Sequence, residues 1–248
     1  MPVSIIRLVS LAVFLTAWGL LAKIGNDPTV LPSPADLIAP LYHEAATGEL
    51  FEHMGATILR VIAAFCIAMT AGTCLGLIMG TYPQIDRWLD PWLVVFLNLP
   101  ALVLIVLCYL WIGLTDVAAV AAVALNKIPG VATVLREGAR ALDPDLKDMA
   151  RVYRVRRVAV LRHFVLPQLA PYIAGSARSG LAVIWKVVLV VEFLGRSNGI
   201  GFRIHLYFQL FDVAMVLVYS LSFIVFMLAV EWLLVQPTEA RVRAWRQA

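Results

Sequence analysis

The stretch Val61–Tyr82, VIAAFCIAMTAGTCLGLIMGTY, runs for 22 residues without one charged side chain. About 20 consecutive apolar residues suffice for a helix to cross a bilayer, so this stretch by itself predicts a transmembrane helix. Comparable runs are Leu8–Ala22, Pro91–Leu110, Val117–Leu135 with Lys127 inside it, Tyr172–Leu194 with Lys186 and Glu192, and Val213–Val235 with Glu231. Together they predict an all-α integral membrane protein with six spans. The first run follows Arg7 and has the length of a signal-peptide core, but no small-residue cleavage pattern follows it, so it is read as a helix.

Composition agrees. Of 248 residues 62% are apolar and 15% charged, whereas soluble domains average about 45–50% apolar. The excess is too large for one core under a polar surface, and the mean hydropathy is +0.87. Six spans use about 120 residues. The remainder supplies loops but no second domain, so residues 1–248 are read as a single transmembrane domain. Cys66, Cys74 and Cys108 lie inside apolar runs and are odd in number, which speaks against a disulfide framework.

Six spans put both termini on one side, and lysine and arginine choose the side. Arg7, Arg87, eight cations between Arg136 and Arg162, and Arg241, Arg243 and Arg246 make thirteen on the side of the termini. The other side holds Lys23, Arg60, Arg196 and Arg203 together with most of the acids. Both termini are therefore expected in the cytoplasm. The net charge of +4 follows from this asymmetry and does not point to nucleic acid. On the outer side Ser33 and Pro34 are expected to start a short amphipathic helix over Ala35–Ala46, lying at the lipid interface. In the second span Ala64, Ala68, Gly72, Gly76 and Gly80 recur every four residues, a smooth stripe for close helix packing.

Catalytic chemistry is missing from the pattern. No phosphate-binding loop G-x-x-x-x-G-K-[ST], H-E-x-x-H, G-x-S-x-G or C-x-x-C occurs, and His43, His53, His163 and His205 are scattered. No catalytic or metal-ligating residue is expected. A self-sufficient secondary transporter and a membrane scaffold both remain open at this point, because mostly apolar helices with a few internal charges serve either.

The connection between the fourth and fifth spans, residues 136–171, is far longer than the usual 2–8 residues between bundle helices. Asp143-Pro144-Asp145 supplies an N-cap, a first-position proline and first-turn acid. Leu146, Met149, Ala150 and Tyr153 then fall on one face, with Lys147, Arg151 and Arg154 on another. A second short helix is expected after Arg157, stopped near Leu166-Pro167. The first helix either lies on lipid headgroups or docks into another protein.

Asp148-Met149-Ala150, three residues, Arg154, nine residues and Phe164-Val165-Leu166-Pro167 keep the spacing of E-A-A-x3-G-x9-I-x-L-P, the permease motif of binding-protein-dependent ABC importers. Leu31-Pro32-Ser33-Pro34, Leu99-Pro100-Ala101, Gly113, Asp143-Pro144, Val191–Gly195 and Gly199-Ile200-Gly201 resemble the nitrate/sulfonate/taurine group of such permeases, a likeness covering nearly the whole chain. The resemblance implies a type I ABC importer permease of the bacterial inner membrane, working as a homodimer. Two ATPase subunits would dock on the coupling residues Leu146, Asp148, Met149, Ala150, Arg151, Tyr153, Arg154 and Arg157, and an extracytoplasmic binding protein would deliver a small organic or inorganic anion. This chain would hold no cofactor; ATP and Mg would sit on the ATPase partners. Three motif residues differ: Asp148 replaces Glu, Met149 replaces Ala and Arg154 replaces the turn glycine. A left-handed backbone at a non-glycine residue costs about 1 kcal/mol, which leaves two readings, a straighter loop or one matched to its own ATPase.

Asn98, Asn126, Lys127, Lys186 and Glu192, polar residues at membrane depth, are the expected lining of a translocation pathway. A mid-helix lysine costs about 2.5–3.5 kcal/mol on insertion scales. Snorkelling and pairing within the bundle is the alternative. Lys186 and Glu192, six residues apart, lie about 240° apart around a helix, so each needs its own partner.

Overall fold

The computed structural model describes residues 3–143, 145, 149 and 152–235, and every regular element among them is helical. In chain order these are α1 (Val3–Gly25), α2 (Ile38–Thr47), α3 (Glu49–Thr81), α4 (Pro83–Asn98), α5 (Ala101–Ile112), α6 (Asp116–Arg140), α7 (Arg157–Val160), α8 (Leu166–Gly195), α9 (Ile200–Gln209) and α10 (Val213–Val230). Two compact units form, one from Met1–Thr57 with Glu192–Met227, the other from Ile58–Val191 with Leu228–Ala248.

In the larger unit the glycine stripe of α3 does what its spacing predicts. A β-carbon on Gly72 would lie 2.6 Å from Val131 Cβ, one on Gly76 2.5 Å from the Ala132 carbonyl, and one on Gly80 2.5 Å from Ala139 Cβ. Only glycine permits this approach of α3 to α6. Ala64 and Ala68 continue the stripe and are fully buried. Around it Met79, Leu93 and Ala132 form one apolar cluster, and Val131, Leu135 and Leu169 another. One end of α6 is tied by Arg136 to Asp90 at 2.5 Å and Asp86 at 3.3 Å, and by Arg140 to Asp86 at 2.6 Å. Near the other end, Arg60 meets Asp116 at 2.7 Å.

Two expectations about the spans are corrected. The run Pro91–Leu110 is not one straight helix: α4 and α5 are bent by 99° at the break. Pro100 lacks an N–H and forces Leu99 out of the helical region, to φ −70° and ψ 125°. The second span extends twelve residues before Val61, because α3 begins at Glu49. By length and apolarity α3, α6 and Val213–Leu233 can each cross a membrane, and four spans result if the bent pair counts as one. Six spans are thus the reading of the sequence, not a count that the described helices reach.

The smaller unit holds α1, α2, the start of α3, α9 and most of α10. Trp18 on α1 donates to the Pro32 carbonyl at 3.1 Å. The expected helix over Ala35–Ala46 starts later, at Ile38. Ser33 does not cap it; its N–H and hydroxyl both donate to the Asp36 carboxylate at 2.8 Å, and these bonds hold the Asp36 carboxyl below the usual range.

Candidate functional site

The segment after Asp143 begins as its sequence predicts. The Asp143 carboxylate accepts the Asp145 N–H at 2.9 Å, and Gln168 anchors the Asp143 N–H at 3.0 Å. Asp145, Met149 and Val152 are helical, and the Tyr153 N–H reaches the Met149 carbonyl at 3.0 Å. Leu146, Asp148, Ala150 and Arg151 lie outside the described residues. The chain then turns at Arg154, whose φ is +48°. The straighter-loop reading is therefore overturned: the chain turns here, with arginine in the left-handed conformation that glycine would adopt without cost.

Beyond the turn, Arg157 opens α7, but no stop follows at Leu166-Pro167. A π-helical turn, Leu161–Val165, carries α7 directly into α8. Pro167 follows directly on the π-helical turn and brings no N–H to the continuous helix there. Met149, Val152, Tyr153 and Val158 are exposed, the last three by more than three quarters of their surface. Exposed apolar side chains flanking one strained turn make a surface suited to contact with an apolar partner.

The polar residues expected along a pathway are placed as follows. Asn98 ends α4 and donates to the Val94 carbonyl at 2.8 Å. Asn126 and Lys127 are half-buried on α6. Lys127 runs over bare backbone, its Cε 3.2 Å from where a Gly180 β-carbon would stand. Lys186 is exposed on α8. Glu192 differs from the expectation. It is fully buried, accepting from the Thr57 hydroxyl and the Gly201 N–H, each at 2.9 Å, so it lines no open route in this conformation.

Those bonds belong to an arrangement that sequence reading missed. The first N–H groups of α9 have no intrahelical acceptors, and side chains satisfy three in a row. Gly199 donates to His53 Nδ1 at 3.0 Å, Ile200 to Thr57 Oγ1 at 2.9 Å, and Gly201 to Glu192. Gly199 has φ +108°, and a β-carbon there would collide with the Glu192 carboxylate. One turn on, Arg203 Nη2 bonds both Glu44 and Glu49 at 2.9 Å, its Nε bonds the Tyr219 hydroxyl at 2.8 Å, and Tyr219 also bonds Glu44. His53 and Thr57 stand at i and i+4, a signal passed over because the apolar run was read from Val61 onward.

Comparison with known proteins accords with the coupling-motif spacing. Residues 72–236 match the family described as binding-protein-dependent transport system inner membrane component. The putative aliphatic sulfonates transport permease SsuC of Escherichia coli is 31% identical over 190 residues, covering 75% of this chain and 71% of that protein. The Escherichia coli taurine transport system permease TauC is 26% identical over 201 residues, covering 79% and 73%. An inward-facing structure of the MetNI methionine ABC transporter superposes with a TM-score of 0.60 at 16% identity, covering 80% of this chain and 94% of that one. The secondary-transporter alternative finds no support among these relatives. The chain belongs to the binding-protein-dependent transport system inner membrane components, and it is a membrane-spanning permease of an ABC importer rather than an enzyme.

Proposed function

We propose that two copies of this chain form one permease, that an ATPase subunit docks on the cytoplasmic segment of each, and that an extracytoplasmic binding protein delivers a small anion of the sulfonate, taurine or nitrate kind. The observation that carries the docking is the exposed apolar set Met149, Val152, Tyr153 and Val158 around the Arg154 turn. Such a surface is costly in water and is covered when a partner binds. The permease is one domain with both termini in the cytoplasm, on the side that collects thirteen lysines and arginines. ATP and Mg are held by the ATPase subunits and this chain holds no cofactor. ATP-driven closure of the ATPase pair moves the coupling segments, and rigid-body rocking of the helices opens the pathway outward. Asn98, Asn126, Lys127 and Lys186 supply its polar lining.

The substrate class is supported by the relatives' names, SsuC, TauC and the Synechocystis nitrate import permease NrtB, together with two lysines at membrane depth. The test is purification in mild detergent with identification of co-purifying subunits, followed by ATP hydrolysis assayed with and without the binding protein. Recovery of the chain with no ATPase subunit rejects the proposal.

A further inference from the structure

We propose that His53 is a proton-responsive positioning residue for α9: the neutral imidazole holds the start of that helix, and protonation lets it go. Gly199 N–H is only a donor, so His53 Nδ1, 3.0 Å away, must present a lone pair. The ring proton then sits on Nε2, facing Glu49 Oε2 at 3.4 Å. A second proton converts Nδ1 from acceptor to donor and sets donor against donor. One of the three side-chain caps on α9 is lost, and the Gly199 N–H is left facing a donor in place of its acceptor.

The groups around His53 set both sides of the balance. Glu49 and Glu52 on α3 supply negative charge, and Arg203 on α9 supplies positive charge while itself holding Glu49. The Phe202 ring packs 6.0 Å from the imidazole. Glu192 of α8 is engaged with Thr57 and Gly201. Histidine is the side chain whose ordinary titration falls between about pH 5 and 8. The cap is complete while the imidazole is neutral and is lost once the ring takes its second proton.

The test is hydrogen exchange on the full chain in detergent, read by mass spectrometry over residues 199–201 and divided by intrinsic rates at each pH. Protection is expected to fall about tenfold between pH 8 and a pH below the midpoint of the His53 ring titration, the effect of losing one hydrogen bond. H53N puts Oδ1 where Nδ1 stands, an acceptor that does not titrate, and should keep protection at both ends. H53Q moves the acceptor to the Nε2 position and should lack protection throughout. Equal pH dependence in wild type and H53N overturns the proposal, as does wild-type protection that stays constant. If H53N is unprotected at every pH, the wild-type midpoint decides: agreement with the His53 ring titration read by NMR supports the proposal, and disagreement overturns it. The transport consequence rests on the proposed function: H53N should flatten the acid limb of uptake by reconstituted vesicles. Uptake absent in wild type counts against the transport reading and leaves the exchange result standing.

Discussion

Gly76 stands so close to the Ala132 carbonyl that a β-carbon on residue 76 would lie 2.5 Å from the oxygen. The obstacle is backbone, so no rotamer change relieves it. Gly76→Ala must push α3 and α6 apart and disturb the contacts of Val131, Ala132 and Leu135. A loss of about 1–3 kcal/mol follows, as for other overpacked cores. Gly55→Ala on the same helix, where nothing lies within 4 Å, is the matched control. Melting followed by tryptophan fluorescence in detergent checks the pair, and equal midpoints would contradict close packing as the role of the stripe.

Arg154 holds a left-handed backbone that glycine adopts without strain. Arg154→Gly should keep the turn and with it most of the ATPase co-purification, losing only what the guanidinium adds to docking. Arg154→Val should lose most of it, because a β-branched residue is a true outlier there. Equal recovery of ATPase with both variants would show that the turn is not what the partner reads.

How much of this was legible in the sequence varies with the range of the interaction. Local signals were: the Asp143 cap and the α3 stripe follow from spacing. The bend between α4 and α5 was masked because apolarity is continuous across Leu99-Pro100, and hydropathy carries no backbone direction. The π-helical turn at Leu161–Val165 left no signal, since proline at residue 167 reads equally as a stop or a first turn. The caps on α9 were hidden for another reason. His53, Thr57 and Glu192 lie up to about 140 residues apart in the chain, and only the fold joins them. Glu192 was noticed as a buried charge, but its use as a helix cap required knowing where Gly201 stands.

The docking surface makes its own prediction. Met149→Asp and Val152→Asp should each reduce ATPase recovery at least about tenfold, because a carboxylate would be buried against an apolar partner. Both side chains are exposed in the chain alone, so insertion and melting should not change. Undiminished recovery with both variants would remove this segment as the docking site.

Orientation is tested with single cysteines in a background free of Cys66, Cys74 and Cys108. Tyr42 and Val152 are both well exposed, so labelling at these positions reports sidedness rather than burial. A membrane-impermeant thiol reagent on intact spheroplasts should label Tyr42→Cys, and should reach Val152→Cys only after permeabilisation. The reverse pattern would invert the topology.

Lys186 and Lys127 offer the sharpest test of the pathway. Lys186 is exposed on α8 and Lys127 is half-buried over the bare backbone of Gly130 and Gly180. A lysine at membrane depth that faced lipid would be costly, whereas one facing an aqueous route can meet an anion. Charge is then the property that matters. Lys186→Met should lower uptake of taurine or nitrate by about tenfold or more, the worth of one charge-assisted contact, while Lys186→Arg retains a substantial part. Lys127→Met should behave in the same way, but Lys127→Arg should fare worse than Lys186→Arg, because the larger guanidinium must fit beside Gly180. The measurement is initial uptake by proteoliposomes holding permease, ATPase and binding protein, with ATPase recovery held equal. If the methionine and arginine variants of Lys186 transport equally well, its charge has no part in moving the solute, and the case for a cationic lining falls to Lys127 alone.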